Sequence, residues 1–267
     1  QVEADEERVN LTCFPLFFPE KRDFFLENAG IFEFGDISNY LYRMGPNRYS
    51  RSFTMFHSRR IGLESGRQVP ITGGGRLSGK VGNFDVGYLN MLAEKIDDIP
   101  ETQFNVARIK GNIFQKSNFG AIVIDRNSNV DENDHRSMGV DLNLNINKLL
   151  IYSYLSQTEN PDVEGDNTAG RVVVAYRNSQ WDLSAYYKKV GEAFVPKVGF
   201  MQRNNVGETF LTAGYHKRFS SGPFLSINPY VFINQYDNLD GYMESRALKA
   251  GFDAQFMNGS MLFSGIT

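Results

Sequence analysis

Between residues 138 and 155, apolar and polar side chains take turns. Val140, Leu142, Leu144 and Ile146 alternate with Asp141, Asn143, Asn145 and Asn147. A period of two places the first set on one face of a strand and the second on the other. A turn at Asn147-Lys148 and the apolar, aromatic run 149–155 (Leu150, Ile151, Tyr152, Tyr154) complete a hairpin. A lone hairpin is marginal in water, so the pattern predicts a larger sheet. Its apolar face must meet either a second protein layer or lipid.

The same alternation recurs along the chain. In 103–114, Val106, Arg108, Lys110 and Asn112 share one face, opposite Ala107, Ile109, Gly111 and Ile113. In 224–234, Leu225, Ile227, Val231 and Ile233 oppose Ser226, Asn228 and Asn234. In 248–256, Leu248, Ala250, Phe252, Ala254 and Phe256 alternate with Lys249, Gly251, Asp253 and Gln255. Further strands are predicted near 84–94, 119–125, 171–176, 181–188 and 209–219, and Asn258-Gly259 is a strong hairpin signal. The total is roughly a dozen antiparallel strands of barrel length. Tight turns fall near 82, 117, 147, 178, 221 and 258, and longer polar loops near 98, 131, 163, 198 and 239. A soluble sandwich has no reason to sort its connections by end; an outer-membrane barrel does. The polar face carries Arg108, Lys110, Asp141, Asn143, Asn145, Lys249 and Asp253, which a wet lumen accommodates. The alternative is a soluble antiparallel sheet with one solvated face.

Residues 1–72 read differently. A polar, acidic start leads into a phenylalanine cluster that Pro15 and Pro19 interrupt, with a short helical turn expected over 20–28. We read 1–72 as an irregular linker or plug and 73–267 as antiparallel barrel strands. Residues 1–10 lack the apolar core of a signal peptide, and 261–267 stop inside a strand. The expectation is a piece of a longer chain, truncated at the C-terminus and lacking sequence at both ends.

Composition narrows the options. There is no run of about 18 uncharged apolar residues, so no transmembrane helix is available. A barrel strand needs only about 10 residues, half of which can be polar. The net charge of −3 argues against a generally basic nucleic-acid surface. Cys13 is the only cysteine, so no internal disulfide forms.

The candidate chemistry is sparse. Gly73–Gly75 with Gly79 and Lys80 lack phosphate-loop spacing and precede a strand, so they mark a bend or close backbone approach. Glu20, Lys21, Arg22 and Glu27 would hold an anionic or sugar ligand, or knot the plug to the wall. Arg59 and Arg60 would favour anions if they face a lumen, or pair with wall carboxylates such as Asp141 or Asp253. His57, His135 and His216 are isolated, and the loop acids Asp131, Glu132, Asp134 and Asp166 read as solvated charge. No catalytic set, metal site or cofactor motif emerges, and no enzyme is expected.

Several segments together resemble a known family. They are 17–27 (FFPEKRDFFLE), 58–63 (SRRIGL), 69–71 (VPI) and the glycine-rich 74–79, with the opening 1–5 and the stretch 196–203 as further landmarks. The resemblance is to a bacterial outer-membrane β-barrel family of unknown function, whose barrel follows an N-terminal domain similar to family-9 carbohydrate-binding modules. Cys13 stands where that family leads us to expect an arginine. The resemblance implies outer-membrane location and a barrel, and no chemistry. It suggests passage or capture of small polar solutes such as glycan fragments, with the lipid bilayer as a partner and no nucleic acid. The alternative is a non-transporting anchor for a sugar-binding-like domain and other envelope proteins.

Overall fold

The computed structural model describes residues 14–36, 52–64, 66–114, 116–128, 134–161 and 163–267. The landmark 1–5, Cys13, Asp131 and Glu132 lie outside the described residues. The N-terminal part holds one helical turn, α1 (Asp23–Leu26), and three two-residue strands, β1 (Phe53–Thr54), β2 (Leu63–Glu64) and β3 (Arg67–Gln68). Long strands follow: β4 (Ile71–Val81), β5 (Phe84–Ala93), β6 (Thr102–Phe114), β7 (Ser117–Ser128), β8 (His135–Ile146) and β9 (Leu149–Glu159). Next come β10 (Thr168–Arg177), β11 (Trp181–Val190), the short β12 (Phe200–Met201), β13 (Val206–Tyr215) and the short β14 (Lys217–Arg218). The last three are β15 (Phe224–Asn238), β16 (Met243–Phe256) and β17 (Met261–Ile266).

From β4 to β17 each long strand pairs antiparallel with its neighbour in sequence. The fold is all-β and antiparallel, as the alternation predicts. The order begins at β4 and ends at β17 and these two do not pair, so the sheet is open and not closed into a barrel. Tight turns occupy 82–83, 147–148 and 178–180, and 94–101 and 191–205 are longer connections. Two connections break the predicted sorting: 216–223 is long and carries β14, and 239–242 is short. Asn147 and Gly259 adopt positive φ at +57° and +87°, which tight hairpin turns require.

Three boundaries differ from the sequence reading. Residues 127–136 were expected to form a loop, but β7 runs to Ser128 and β8 starts at His135. In the expected helical stretch 20–28 only Asp23–Leu26 is helical, followed by a 3-10 turn at Ala29–Ile31; a second 3-10 turn spans Ser58–Arg60. Connection 191–205 is not bare loop, because β12 in it pairs with the distant β1, Phe53 lying opposite Met201. No local pattern announces a pairing of that sequence distance.

Register decides which face meets protein. Residues directly opposite on paired strands share a face. Leu144, Ile151, Val174, Ala185, Leu211, Ile233 and Leu248 form one unbroken apolar row from β8 to β16. This face is open: Val140 is 55% exposed and Leu155 62%. On the other face Asp141 is only 4% exposed. The covering comes from residues 14–36, 52–64 and 66–69, which seat Phe25, Phe32, Phe34, Phe53, Met55 and Ile61 on the inner side. There they cluster with Leu89, Val106, Ile122, Tyr154, Phe194 and Phe210 of the sheet and its connections. The core therefore lies between the N-terminal segment and the sheet's more polar face, and the greasier face is uncovered.

Candidate functional site

One inner row runs across the sheet in register: Lys110, Gly120, Asp141, Tyr154, Arg171, Lys188, Glu208, Tyr236 and Ser245. Each sits there because its outward neighbours, such as Val140, Val172 and Tyr187, take the alternate positions.

Asp36 of the N-terminal segment reaches the middle of this row. Its Oδ1 accepts hydrogen bonds from Arg171 Nη1 at 3.0 Å and Tyr154 OH at 3.0 Å. Its Oδ2 accepts from Lys188 Nζ at 2.7 Å and Ser52 Oγ at 2.7 Å. The neighbouring Gly35 carbonyl accepts from Tyr152 OH at 2.6 Å. The Asp36 side chain is fully buried. Burial alone would raise its pKa, but the Lys188 ammonium and the Arg171 guanidinium outweigh burial and hold it down at about 2.

The flanks of the row are paired by the wall itself. Arg108 Nη1 donates to Asp141 Oδ1 at 2.6 Å, and its guanidinium lies 5.5 Å from the centre of the Phe34 ring. Gly120 makes room for this pair, since a Cβ there would stand 2.6 Å from Arg108 Nη1. Arg171 stacks 4.2 Å over the Tyr186 ring. Tyr186 and Tyr236 both donate to Glu208 Oε1, at 2.5 and 2.8 Å. Asp36, Asp141 and Glu208 balance Arg108, Arg171 and Lys188 in charge.

The remaining residues singled out from sequence scatter. Glu20 and Arg22 pair at 2.8 Å, Glu20 accepts from Ser58 Oγ at 2.6 Å, and Arg22 donates to the Ile61 and Ser58 carbonyls. They knot two parts of the N-terminal segment together. Burial pushes the Glu20 pKa up, but hydrogen bonds from Arg22 and Ser58 prevail and bring it to about 2. Glu27 reaches the wall, pairing with Arg76 of β4 at 2.7 Å. Lys21 is exposed. Arg59 donates to the Pro19 carbonyl and Arg60 to the Gly199 carbonyl. Asp141 and Asp253, one expected pair of partners for these arginines, are bonded to Arg108 and to Asn228.

Of the lumen-face candidates, Arg108, Lys110 and Asp141 lie in or beside the buried row. Asn143 and Asn145 continue β8 toward the tight-turn end, and Lys249 and Asp253 stand apart on β16. The sequence reading missed Asp36, Tyr154, Arg171, Lys188 and Glu208, the residues that make the site. Their signal was present but weak: Arg171 and Lys188 are single cations at inward positions of strands recognised from their outward residues. Chemically, the arrangement is a carboxylate cradle of two cations and a phenol.

An open antiparallel sheet whose polar face is occupied by the chain's own N-terminal segment defines the class of protein. A family model described as a domain of unknown function, DUF5916, matches residues 1–266, and the chain belongs to that family. No curated protein and no solved structure matches it. The family description names neither an outer membrane nor a carbohydrate-binding module.

Proposed function

We propose that this chain forms wall and plug of a bacterial outer-membrane β-barrel that captures or admits a small polar solute, such as a glycan fragment. The supporting observation is the inverted burial of the sheet. Its apolar row from Leu144 to Leu248 lies on the open face, and the polar row through Asp141, Arg171 and Lys188 is covered. Soluble proteins rarely leave contiguous apolar patches beyond a few hundred Å² uncovered, and hydrocarbon is a natural cover for this one. Strands β4 to β16, apart from the two-residue β12 and β14, have 10–15 residues, enough to cross at the tilt for which about 9–11 suffice. Closure then comes from pairing the β4 and β17 edges, directly or through further strands. Inside, amide and charged side chains replace solute hydration, and the N-terminal segment sets access.

A second reading, an anchor that docks envelope partners without transport, is favoured by one feature. Asp36 neutralises the wall cations, so the polar row is occupied by the chain itself. Liposome swelling with neutral sugars separates the two. Solute flux through the protein, raised by Asp36→Asn, supports passage. Absence of flux in both proteins, with a stoichiometric envelope partner co-purifying from membranes, supports the anchor. A chain that stays in the aqueous phase and never inserts overturns both.

A further inference from the structure

Resting on the membrane reading above, we propose that the uncovered face of β11, β13, β15 and β16 seats one zwitterionic phospholipid. Its tail lies in an apolar groove and its headgroup on Arg246 and Asp237.

The groove has a volume of about 350 Å³, within the range of small-ligand pockets. Ala185 and Ala213 leave the depression, and Tyr176, Leu183, Leu211 and Ile233 flank it. Register puts all of them on the uncovered face: Ala185 lies opposite Leu211, Leu211 opposite Ile233, and both Tyr176 and Ala213 opposite Leu183. The next outward pair beyond Ile233, about 7 Å along the strand, is polar: Gln235 stands opposite Arg246. Gln235 fixes a cation and an anion side by side. Its Oε1 accepts from Arg246 Nε at 2.8 Å, and its Nε2 donates to both Asp237 carboxylate oxygens at 2.7 Å. Arg246 is exposed and ion-pairs with no described residue. The other charges close by cancel, Lys189 with Asp166 and Glu244 with Arg203. One cation and one anion at the mouth of an apolar groove match the phosphate and the ammonium of phosphoethanolamine. A purely anionic headgroup meets Asp237 as a like charge. Within a bilayer the tail gains nothing from leaving water, so the groove contributes shape and dispersion while the headgroup contributes selection.

The test is native mass spectrometry of the full chain in nonionic detergent, with phosphatidylethanolamine or phosphatidylglycerol added in equal amounts. The natural protein is expected to retain one lipid and to prefer phosphatidylethanolamine by at least about tenfold, the discrimination that one charge-assisted contact supplies. Asp237→Asn is expected to erase that preference. Arg246→Gln is expected to weaken retention of both lipids about tenfold. Ala185→Phe fills the groove and is expected to weaken both while leaving the preference as it was. Equal retention of the two lipids by the natural protein overturns the proposal, and this outcome needs no variant to fold. A preference that survives in natively folded Asp237→Asn overturns it too, as does full retention by Arg246→Gln and Ala185→Phe. Because retention is read in detergent, its absence beside normal vesicle insertion removes the lipid site alone. Retention without insertion supports the site and removes the membrane reading.

Discussion

Asp36 shows how one side chain ties a segment to a sheet. Two cations meet its carboxylate, and all three side chains are almost wholly buried. Asp36→Asn removes the carboxylate that both buried cations bond, and breaking a buried pair in this way costs about 3–5 kcal/mol. Denaturant unfolding of the detergent-solubilised protein measures it. The same group sets an acid limit. Its folded pKa, about 2, lies below the ordinary 3.8, so its contribution is complete above about pH 4 and is lost as pH falls toward 2. At about 1.4 kcal/mol per pH unit of that gap, the loss is about 2 kcal/mol. Melting temperature is therefore expected to drop between pH 4 and 2, and Asp36→Asn to flatten the drop. Nothing local in the sequence marks Asp36, because Arg171 and Lys188 lie 135 and 152 positions away. By contrast, inward Asp141 was legible at once, since its neighbours Val140 and Leu142 face the other way.

At the scale of elements, the wall was legible and the covering segment was not. Strand β8 announces itself through period two, and so does β16. Where both faces are apolar, as in Ile122-Val123-Ile124 of β7, alternation gives a strand but not a face; register against β6 and β8 supplies it. The covering segment has almost no repeating structure, so only its phenylalanines hinted at burial. Its fit is specific nonetheless. Phe34 and Met55 press on Gly139 of β8 so closely that a Cβ there would collide with the Phe34 ring. Gly139→Ala is expected to destabilise by about 1–3 kcal/mol through displacement of that ring. Gly79→Ala on β4 meets nothing within 4 Å and serves as the neutral control. Thermal unfolding of the two variants side by side checks the difference. The charged ties rank differently. The Glu27–Arg76 pair is exposed on the Glu27 side, 74%, so Glu27→Gln is expected to cost less than about 1 kcal/mol. Arg22→Leu removes charge-assisted bonds to the Ser58 and Ile61 carbonyls and is expected to cost about 1–3 kcal/mol and expose 58–61 to proteolysis.

For the whole molecule, the decisive question is what solvates the open face, because the two solvents predict opposite responses to one charge. Leu211 sits in the apolar row with Ala185 and Ile233 directly opposite it, and is 46% exposed. In water, an arginine at so exposed a position changes stability by no more than about 0.5 kcal/mol. In hydrocarbon, the same arginine near the bilayer midplane costs about 2–4 kcal/mol. Leu211→Arg is therefore expected to lower the fraction of protein that folds into lipid vesicles by well over tenfold, since about 1.4 kcal/mol is a factor of ten. Val163→Arg, in the 160–167 connection, lies off the strands and is expected to leave insertion unchanged. Recovery of Leu211→Arg in vesicles at the level of Val163→Arg would place this face in water. The buried row through Asp36 would then be the core of a soluble sheet.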